Sequence, residues 1–326
     1  MTHIAIIGEC MIELNGAPFG NMLQSYGGDT LNAAIYLNRS LNKQGVAFSD
    51  VRTSYVTALG TDSISQEMTR RWQNEGISTD LVLSDPKRSP GLYLIQLDDE
   101  GERTFLYWRN DSAARYIVQH PEFTDVMTQL DNADMVFFSG ISLAILPDAD
   151  RVELLAKIDK LRNNGVKTAF DSNYRPKLWQ SIATTQEAYL LAYQATDIAL
   201  VTFDDEQLIW QDKTPQDTIA RLHKLGVQIV VVKMGSEGCL ISENPNQDPV
   251  SIPTTPVTNV VDTTSAGDSF NGGFLARYLT GGSVAQACQH GNALAGSVIQ
   301  HHGAIIPQSV TDTLSTLIEK STHANY

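Results

Sequence analysis

Short apolar runs alternate with amphipathic stretches along most of this chain. Runs of three to five mostly apolar residues have the length and composition of buried strands, at positions 4–7, 55–58, 135–139, 168–170, 198–201, 229–233 and 239–242. Helical patterns lie between several of them, at positions 31–41, 63–75, 148–163, 185–193 and 214–225. Apolar strands separated by helices predict an α/β fold in which a mostly parallel sheet is covered on both faces. Such sheets bind ligands at the carboxyl ends of their strands.

Two segments depart from this alternation, residues 11–26 and 91–109. Both have the pattern of extended chain with turn residues, and 92–97 and 103–108 flank an acidic turn that contains Gly101, as in a β-hairpin. These pieces predict a small sheet outside the main one, which acts as a lid. We expect residues 1–326 to form a single domain with this lid as its subdomain. An exposed apolar lid sheet also favours a homo-oligomer.

Composition and charge narrow the class of ligand. The 326 residues are 42% hydrophobic, enough for a large core, and the formal net charge is −14. An acidic chain is a poor binder of nucleic acid or anionic membranes, and an anionic ligand would require local Arg or Lys residues. Three separated cysteines, Cys10, Cys239 and Cys288, are typical of reduced thiols. Together with the absence of an apolar run of membrane-spanning length, they predict a cytoplasmic protein.

The run 261–274 carries the clearest chemical signal. Small residues, Ser265, Ala266 and Gly267, precede Asp268 and an apolar segment with helical character. This order predicts a tight turn whose backbone N–H groups at 266–268 form an anion hole at a helix N-terminus. A carboxylate beside such a hole can accept the proton of an attacking hydroxyl, as phosphoryl transfer to an alcohol requires. The alternative is an Asp N-cap on an ordinary helix.

A second run strengthens this interpretation through a family resemblance. Residues 262–274 resemble the C-terminal signature of the ribokinase-like (PfkB) carbohydrate kinases, and 27–34 (Gly-Gly-Asp-Thr-Leu-Asn-Ala-Ala) resembles their N-terminal motif. The resemblance covers essentially the whole chain and implies a three-layer α/β/α fold. Segments 8–14, 107–110, 139–146, 173–179 and 303–307 narrow it to the family's kinases of 2-keto-3-deoxygluconate. It therefore implies phosphorylation of the C6 hydroxyl of that sugar acid by ATP and Mg²⁺.

On the sugar side, the resemblance implies that Gly28, Asp29 and Asn32 grip hydroxyl groups, with Asp268 as general base. The alternative for the first three is a turn and the N-cap of the following helix. Because arginine forms a bidentate fork with carboxylates, we expect Arg109 and Arg175 to neutralise the acid group of the sugar. The alternatives are a solvated hairpin face for Arg109 and a salt bridge from Arg175 to Asp171.

The lid also supplies aromatic candidates. Tyr93 and Tyr107 lie on its hairpin, and we expect them to add hydroxyl and ring contacts to the sugar. On the nucleotide side, the resemblance implies eight ATP-binding residues: Asn173, Arg175, Lys233, Gly235, Ser236, Gly238, Gly267 and Asn292. The alternative for 233–238 is a plain β-hairpin. Mg²⁺ is expected to bridge the phosphates through water, since the sequence shows no certain metal ligand. Whether a monovalent cation is also required stays open.

Two departures from the family pattern bear on function. Ser265 stands where the family usually has glycine, and the family's Asn-x-x-Glu motif is reduced to Glu206 within 203–206. Serine at position 265 leaves the backbone N–H donors of 266–268 in place. The missing asparagine of the second motif leaves the role of Glu206 open. The rival functions are a kinase of a neutral sugar, of the fructokinase or ribokinase type, and a non-catalytic sugar-binding protein.

Overall fold

The structure is a computed structural model that describes residues 1–43, 50–97 and 103–311. The strands of the main sheet are β1 (Thr2–Ile7), β4 (Val51–Leu59), β5 (Ile77–Ser78), β6 (Val82–Ser84), β9 (Met135–Ser139), β10 (Lys167–Asp171), β11 (Ile198–Thr202), β12 (Ile229–Lys233), β13 (Cys239–Ser242) and β14 (Val250–Ile252). Their order is β14-β13-β12-β11-β10-β9-β1-β4-β5, and β6 also pairs with β4. Pairing is antiparallel between β12, β13 and β14 and parallel elsewhere, which confirms a mostly parallel sheet.

Helices cover both faces of this sheet. They are α1 (Asp29–Lys43), α2 (Ser63–Asn74), α3 (Phe123–Gln129), α4 (Gly140–Ala144), α5 (Asp148–Asn163), α6 (Ile182–Gln194), α7 (Phe203–Trp210), α8 (Pro215–Lys224), α9 (Ala266–Leu279) and α10 (Val284–Val298). In the part of the chain just defined, none of them is long and apolar enough to cross a membrane.

The core divides into two layers because side chains of a strand alternate between its faces. In β1, Ala5 and Ile7 join an apolar cluster that includes residues of α5 and α6. Ile4 and Ile6 point the other way, into a cluster with residues of α1, α9 and α10. The sheet is therefore the middle of three layers, which confirms the predicted α/β/α fold.

Strand β4 is longer than the sequence pattern predicts. The apolar run covers 55–58, whereas the strand begins at Val51 and includes the buried residues Thr53 and Ser54. Thr53 Oγ1 donates a hydrogen bond to Asn38 Oδ1 (2.6 Å), and Ser54 Oγ bonds His3 Nε2 (2.9 Å). These bonds satisfy the buried hydroxyls, so the strand also includes polar residues that precede the apolar run.

A separate small sheet is present, as predicted. Its strands are β2 (Met11–Gly16), β3 (Met22–Gly27), β7 (Leu92–Leu97) and β8 (Arg103–Trp108), in the order β3-β2-β7-β8. The predicted hairpin joins β7 to β8, but its turn, 98–102, lies outside the described residues. Tyr93, Ile95 and Met11 form a small buried cluster, whereas Tyr107 and Trp108 of β8 are half exposed.

Candidate active site

The carboxyl ends of the parallel strands meet the small sheet around a cavity of about 580 Å³. Asp171, Thr202 and Lys233 are the last residues of β10, β11 and β12, and all three line the cavity. Parallel strands end at the same edge of a sheet, so this placement follows from the topology. Twelve predicted site residues also line it: Gly28, Asp29, Asn32, Tyr93, Tyr107, Asn173, Arg175, Lys233, Ser265, Ala266, Gly267 and Asp268.

The predicted turn before α9 is present. Ser265 is the N-cap residue and adopts the left-handed conformation (φ 64°), a position where glycine carries no Cβ penalty. The Ala266 N–H donates to the Thr263 carbonyl (3.2 Å) and so closes the turn. Within the described residues, the N–H groups of Gly267 and Asp268 have no backbone acceptor. The open donors of this helix N-terminus are therefore at 267 and 268, while the N–H at 266 is already engaged.

Asp268 lies in the first turn of α9, three residues after the N-cap, so the alternative of an Asp N-cap is wrong. Its carboxylate accepts a hydrogen bond from Asn32 Nδ2 on α1 (2.8 Å). Burial, reinforced by the negative charge of Asp29, raises the pKa of Asp268 to about 7. This pKa makes the Asp268 carboxyl less acidic than an ordinary aspartate, so near neutral pH it holds a proton more readily.

Asp29 lies in the cavity wall and ties three elements together. Its Oδ2 accepts hydrogen bonds from Ser139 Oγ (2.5 Å), at the end of β9, and from Asn173 Nδ2 (2.9 Å). Burial raises the pKa of Asp29, and its two donors oppose that shift. Gly28 is required by a close approach, since a Cβ there would lie 2.1 Å from the Glu9 carbonyl oxygen. The segment 28–32 therefore forms the turn into α1 and also contributes to the cavity wall, so the two interpretations of this segment are compatible.

The two predicted arginines differ in environment. Arg175 lines the cavity and is exposed, and its Nη1 donates to the Tyr174 carbonyl (3.0 Å). Arg109 is not among the cavity-lining residues; it is buried, and its Nη2 donates to Glu9 Oε2 in an ion pair. The alternative of a solvated hairpin face for Arg109 is wrong. The alternative salt bridge from Arg175 to Asp171 is not formed either, because Asp171 forms its ion pair with Lys233 (3.0 Å).

The two tyrosines of the small sheet face the cavity side by side. The Tyr93 hydroxyl donates to Glu13 Oε2, and the Tyr93 ring centroid lies 6.0 Å from that of Tyr107. Phe105 continues this row, at 6.2 Å from Tyr107. Tyr107 is 51% exposed, so its ring is available to a ligand that enters beneath the sheet.

Four predicted nucleotide residues do not reach the cavity. Gly235 and Ser236 are exposed in a turn, and Met234 N donates to the Gly238 carbonyl (2.8 Å), as in the alternative of a hairpin between β12 and β13. Asn292 Nδ2 bonds the carbonyls of Ile252 (3.3 Å) and Pro253 (3.4 Å), so it fastens the chain after β14. None of the four is among the residues that line the cavity.

Sequence reasoning missed several cavity residues, of which Asp205 bears most on chemistry. Its carboxylate accepts from Ser172 Oγ (2.9 Å) and Tyr174 N (3.0 Å), and burial raises its pKa. The neighbouring Glu206, which the family motif singles out, is fully buried in an ion pair with Arg221 (2.6 Å). The signal that could have found these residues is their position at the carboxyl ends of strands. Asp171 and Thr202 are the last residues of β10 and β11, and Asp205 follows Thr202 by about one helical turn. The other missed lining residues are Met11, Gly27, Phe105, Ile141, Thr263, Thr264 and Ala304.

The carboxylates present suit a magnesium ion that is held largely by phosphates. Four of them line the cavity, and oxygen ligands with a few carboxylates are what Mg²⁺ takes beside a nucleotide. Within residues 1–43, 50–97 and 103–311 there is no group of three acidic, histidine or cysteine side chains placed to hold a metal alone. Asp205, in the first turn of α7, would be the protein's contribution to such an ion.

A carboxylate beside open amides at a helix N-terminus, on an α/β/α fold with a small covering sheet, is the arrangement of a small-molecule kinase. Residues 1–311 match the sequence model of the family described as pfkB family carbohydrate kinase. The chain therefore belongs to the PfkB family and is a carbohydrate kinase.

Relatives within this family share much of the sequence. The 2-dehydro-3-deoxygluconokinase of Haemophilus influenzae is 55% identical over 306 residues, which are 94% of this chain and 96% of that protein. The 2-dehydro-3-deoxygluconokinase of Dickeya dadantii is 47% identical over 309 residues, 94% of this chain and 97% of that protein. These identities confirm the narrower resemblance found in the sequence.

Solved structures confirm the ribokinase-like fold. A putative ribokinase II from Escherichia coli, in complex with ATP and Mg²⁺, has a TM-score of 0.81 at 21% identity, covering 98% of this chain and all of that chain. The 2-dehydro-3-deoxygluconokinase of Thermotoga maritima has a TM-score of 0.78 at 18% identity, covering 97% of this chain and all of that chain. At such identities the likeness shows the fold alone.

Proposed function

We propose that this protein transfers the γ-phosphoryl group of ATP to the C6 hydroxyl of 2-keto-3-deoxygluconate. The observation that carries the proposal is the Asp268 carboxylate beside the open N–H groups of 267 and 268. A base and an anion hole in one cavity are the two elements that transfer to an alcohol needs. The acceptor is supported by the relatives that share about half of this sequence and are named for that sugar acid.

In this mechanism Asp268 accepts the C6 hydroxyl proton while the hydroxyl oxygen attacks the γ-phosphorus. The N–H groups of Gly267 and Asp268 donate to the phosphoryl oxygens, where negative charge is concentrated in transfer. Because the helix dipole is positive at this end, α9 adds to that stabilisation. Mg²⁺, when bound with ATP, neutralises phosphate charge and orients the leaving group. Asn32 holds the carboxylate of Asp268 toward the acceptor.

The acid group of the sugar would be bound by Arg175, which is exposed and lines the cavity. A neutral sugar has no carboxylate to form a charged pair with an arginine at that place. Arg109 is buried in its ion pair with Glu9, so its role as a second partner requires that this pair open. Tyr93 and Tyr107 would cover the sugar ring from above.

One observation favours a second candidate, a kinase of a neutral sugar. The charge of Arg109 is already balanced by a buried carboxylate, which leaves Arg175 and Lys233 as the cationic side chains that line the cavity. If both of these serve ATP, the acceptor side carries no positive charge for an acid group.

The deciding experiment measures ADP formation by purified protein with ATP and Mg²⁺. The acceptor panel contains 2-keto-3-deoxygluconate, its galactonate-derived epimer, fructose and ribose. We expect kcat/KM for 2-keto-3-deoxygluconate to exceed that for either neutral sugar by at least about 100-fold, which corresponds to about 2.7 kcal/mol. Faster turnover of fructose or ribose would replace the sugar acid by the second candidate. Product analysis by ³¹P NMR would show whether the phosphate is on C6.

The small sheet is proposed to act as a lid of a single domain. Trp108 is 58% exposed at its free edge, so its fluorescence reports on closure. Saturating sugar should shift its emission, and a Trp108→Phe variant should lack the change.

We also expect a homo-oligomer that buries this edge, because Leu106 and Trp108 of β8 are exposed apolar residues. Light scattering would test it, with Leu106→Lys expected to yield a smaller species.

A further inference from the structure

The ammonium group of Lys233 is held in a closed ring of side-chain hydrogen bonds. Lys233 Nζ donates to Asp171 Oδ1 (3.0 Å) and to Asn271 Oδ1 (3.2 Å), and Asn271 Nδ2 donates to Asp171 Oδ2 (2.8 Å). The three residues come from β12, β10 and α9, and all are buried. Each partner therefore fixes the other two, and the ring connects the main sheet to the helix that carries Asp268.

This ring places the ammonium beside the anion hole. A Cβ built on Gly267 would have Lys233 Nζ as its nearest neighbour, at 3.7 Å. Lys233 and Asp171 both line the cavity, whereas Asn271 does not. An ammonium group has three N–H donors, and the ring uses two of them. The third is available to an anion bound at the open N–H groups of 267 and 268.

The chemistry of Asn271 suits a bridge between the other two. Its amide carbonyl accepts from the ammonium, while its NH₂ group donates to the carboxylate. Leucine could fill the same space but offers neither bond, and aspartate would place a second negative charge against Asp171. Because lysine is a point charge on a flexible stem, it needs such partners to hold one position.

We infer that Asn271 is a positioning residue for phosphoryl transfer. Together with Asp171, Asn271 holds the Lys233 ammonium beside Gly267. There the third N–H of the ammonium donates to the phosphoryl group that is being transferred. The inference rests on the proposed function, because it requires the terminal phosphate of ATP to lie at the start of α9. Charge placed there acts on the transition state, so its misplacement lowers kcat more than it changes KM.

The first test is Asn271→Leu, which keeps the buried volume and removes both bonds. We expect kcat to fall about 10- to 100-fold, with KM for the sugar unchanged within about threefold. The matched control is Asn38→Leu on α1, since Asn38 is equally buried, also makes two hydrogen bonds and lies outside the cavity. The control should lose thermal stability like Asn271→Leu but keep kcat. If both variants keep kcat, the ring is merely structural and the inference is wrong.

The second test exchanges the two ring partners. Asp171→Asn leaves Lys233 without its carboxylate, and Asn271→Asp puts two carboxylates together, so each single variant should lose most of its kcat. The double variant Asp171→Asn/Asn271→Asp restores one carboxylate and one amide around the ammonium. We expect its kcat to exceed that of the weaker single variant by at least about 10-fold, an interaction typical of residues in one network. A double variant no faster than either single one would overturn the inference.

All variants are assayed with whichever panel sugar the unaltered protein phosphorylates fastest. If that sugar is not 2-keto-3-deoxygluconate, the proposed acceptor fails, but the ring test still applies because the ring faces the phosphate donor. If the acceptor is confirmed and the exchange does not rescue kcat, only the role of Asn271 fails.

Discussion

Asn32 and Asp268 are 236 positions apart in sequence and share a hydrogen bond of 2.8 Å, from Asn32 Nδ2 to Asp268 Oδ2. A donor to a carboxylate stabilises its ionised form, whereas burial and the nearby charge of Asp29 stabilise the protonated form. The balance raises the pKa of Asp268 to about 7. Helices α1 and α9 thus set both the proton affinity of the proposed base and the orientation of its carboxylate.

This balance predicts the pH dependence of the reaction. Asp268 must be ionised to accept a proton, so kcat/KM for the sugar should rise with pH through a midpoint near 7. Asn32→Leu removes the donor and should move the midpoint to higher pH, whereas Asp29→Asn removes a negative charge and should move it lower. The measurement is kcat/KM between pH 5.5 and 9. Equal midpoints in all three proteins would show that another group controls the profile.

Asp268→Asn should separate catalysis from stability. Loss of the base should lower kcat about 10²- to 10⁴-fold, while ATP still binds in calorimetry. A raised folded-state pKa means that the folded protein holds a proton which the unfolded chain has released, so this carboxyl destabilises the fold as pH rises from about 4 through about 7.

The asparagine variant lacks this penalty. Its melting temperature should exceed that of the unaltered protein by roughly 2–4 °C at pH 8 and match it near pH 4, as scanning calorimetry would show. Turnover within threefold of normal would remove Asp268 from the proposed role.

Arg109 offers a test of its two interpretations. Arg109→Met leaves the Glu9 carboxylate buried without its ion-pair partner and should destabilise the protein by about 3 kcal/mol. The double variant Glu9→Met/Arg109→Met removes both charges and should recover most of that stability in urea unfolding. If Arg109 also binds the sugar acid, the double variant will be stable yet show a KM for 2-keto-3-deoxygluconate raised at least about 10-fold. An unchanged KM would assign Arg109 to the pair with Glu9 alone.

The sequence predicts the fold here better than the details of the site. Apolar runs locate the strands because burial on both faces leaves little choice of residue, as the match at 135–139 and 229–233 shows. The position of Asp268 in the first turn of α9 was also predictable, since small residues before it are needed to expose amides at a helix start. The burial of Arg109 was not, because it depends on Glu9, 100 positions away in the sequence.

The glycine-rich segment 235–238 has two explanations that its sequence does not separate. Gly235 and Gly238 adopt positive φ (57° and 87°), which a tight turn between β12 and β13 requires whether or not a nucleotide lies there. Composition alone does not distinguish a turn from a ligand-binding loop. The ring around Lys233 was likewise beyond sequence reasoning, because its three members are brought together only by the order of strands in the sheet.

Asp205, and not Glu206, should contribute to magnesium binding. Glu206 accepts from Tyr193 (2.5 Å), and burial raises its pKa to about 7, so its ionisation destabilises the fold as pH rises from about 4.5 through about 7. Glu206→Gln should therefore lose less melting temperature between pH 5 and 8 than the unaltered protein does, with kcat within about threefold of normal. Asp205→Asn, which changes a cavity carboxylate, should instead raise the Mg²⁺ concentration needed for half-maximal activity at least about 10-fold. Titration of activity with Mg²⁺ in both variants tests this, and a larger magnesium effect for Glu206→Gln would assign the metal role to Glu206 instead.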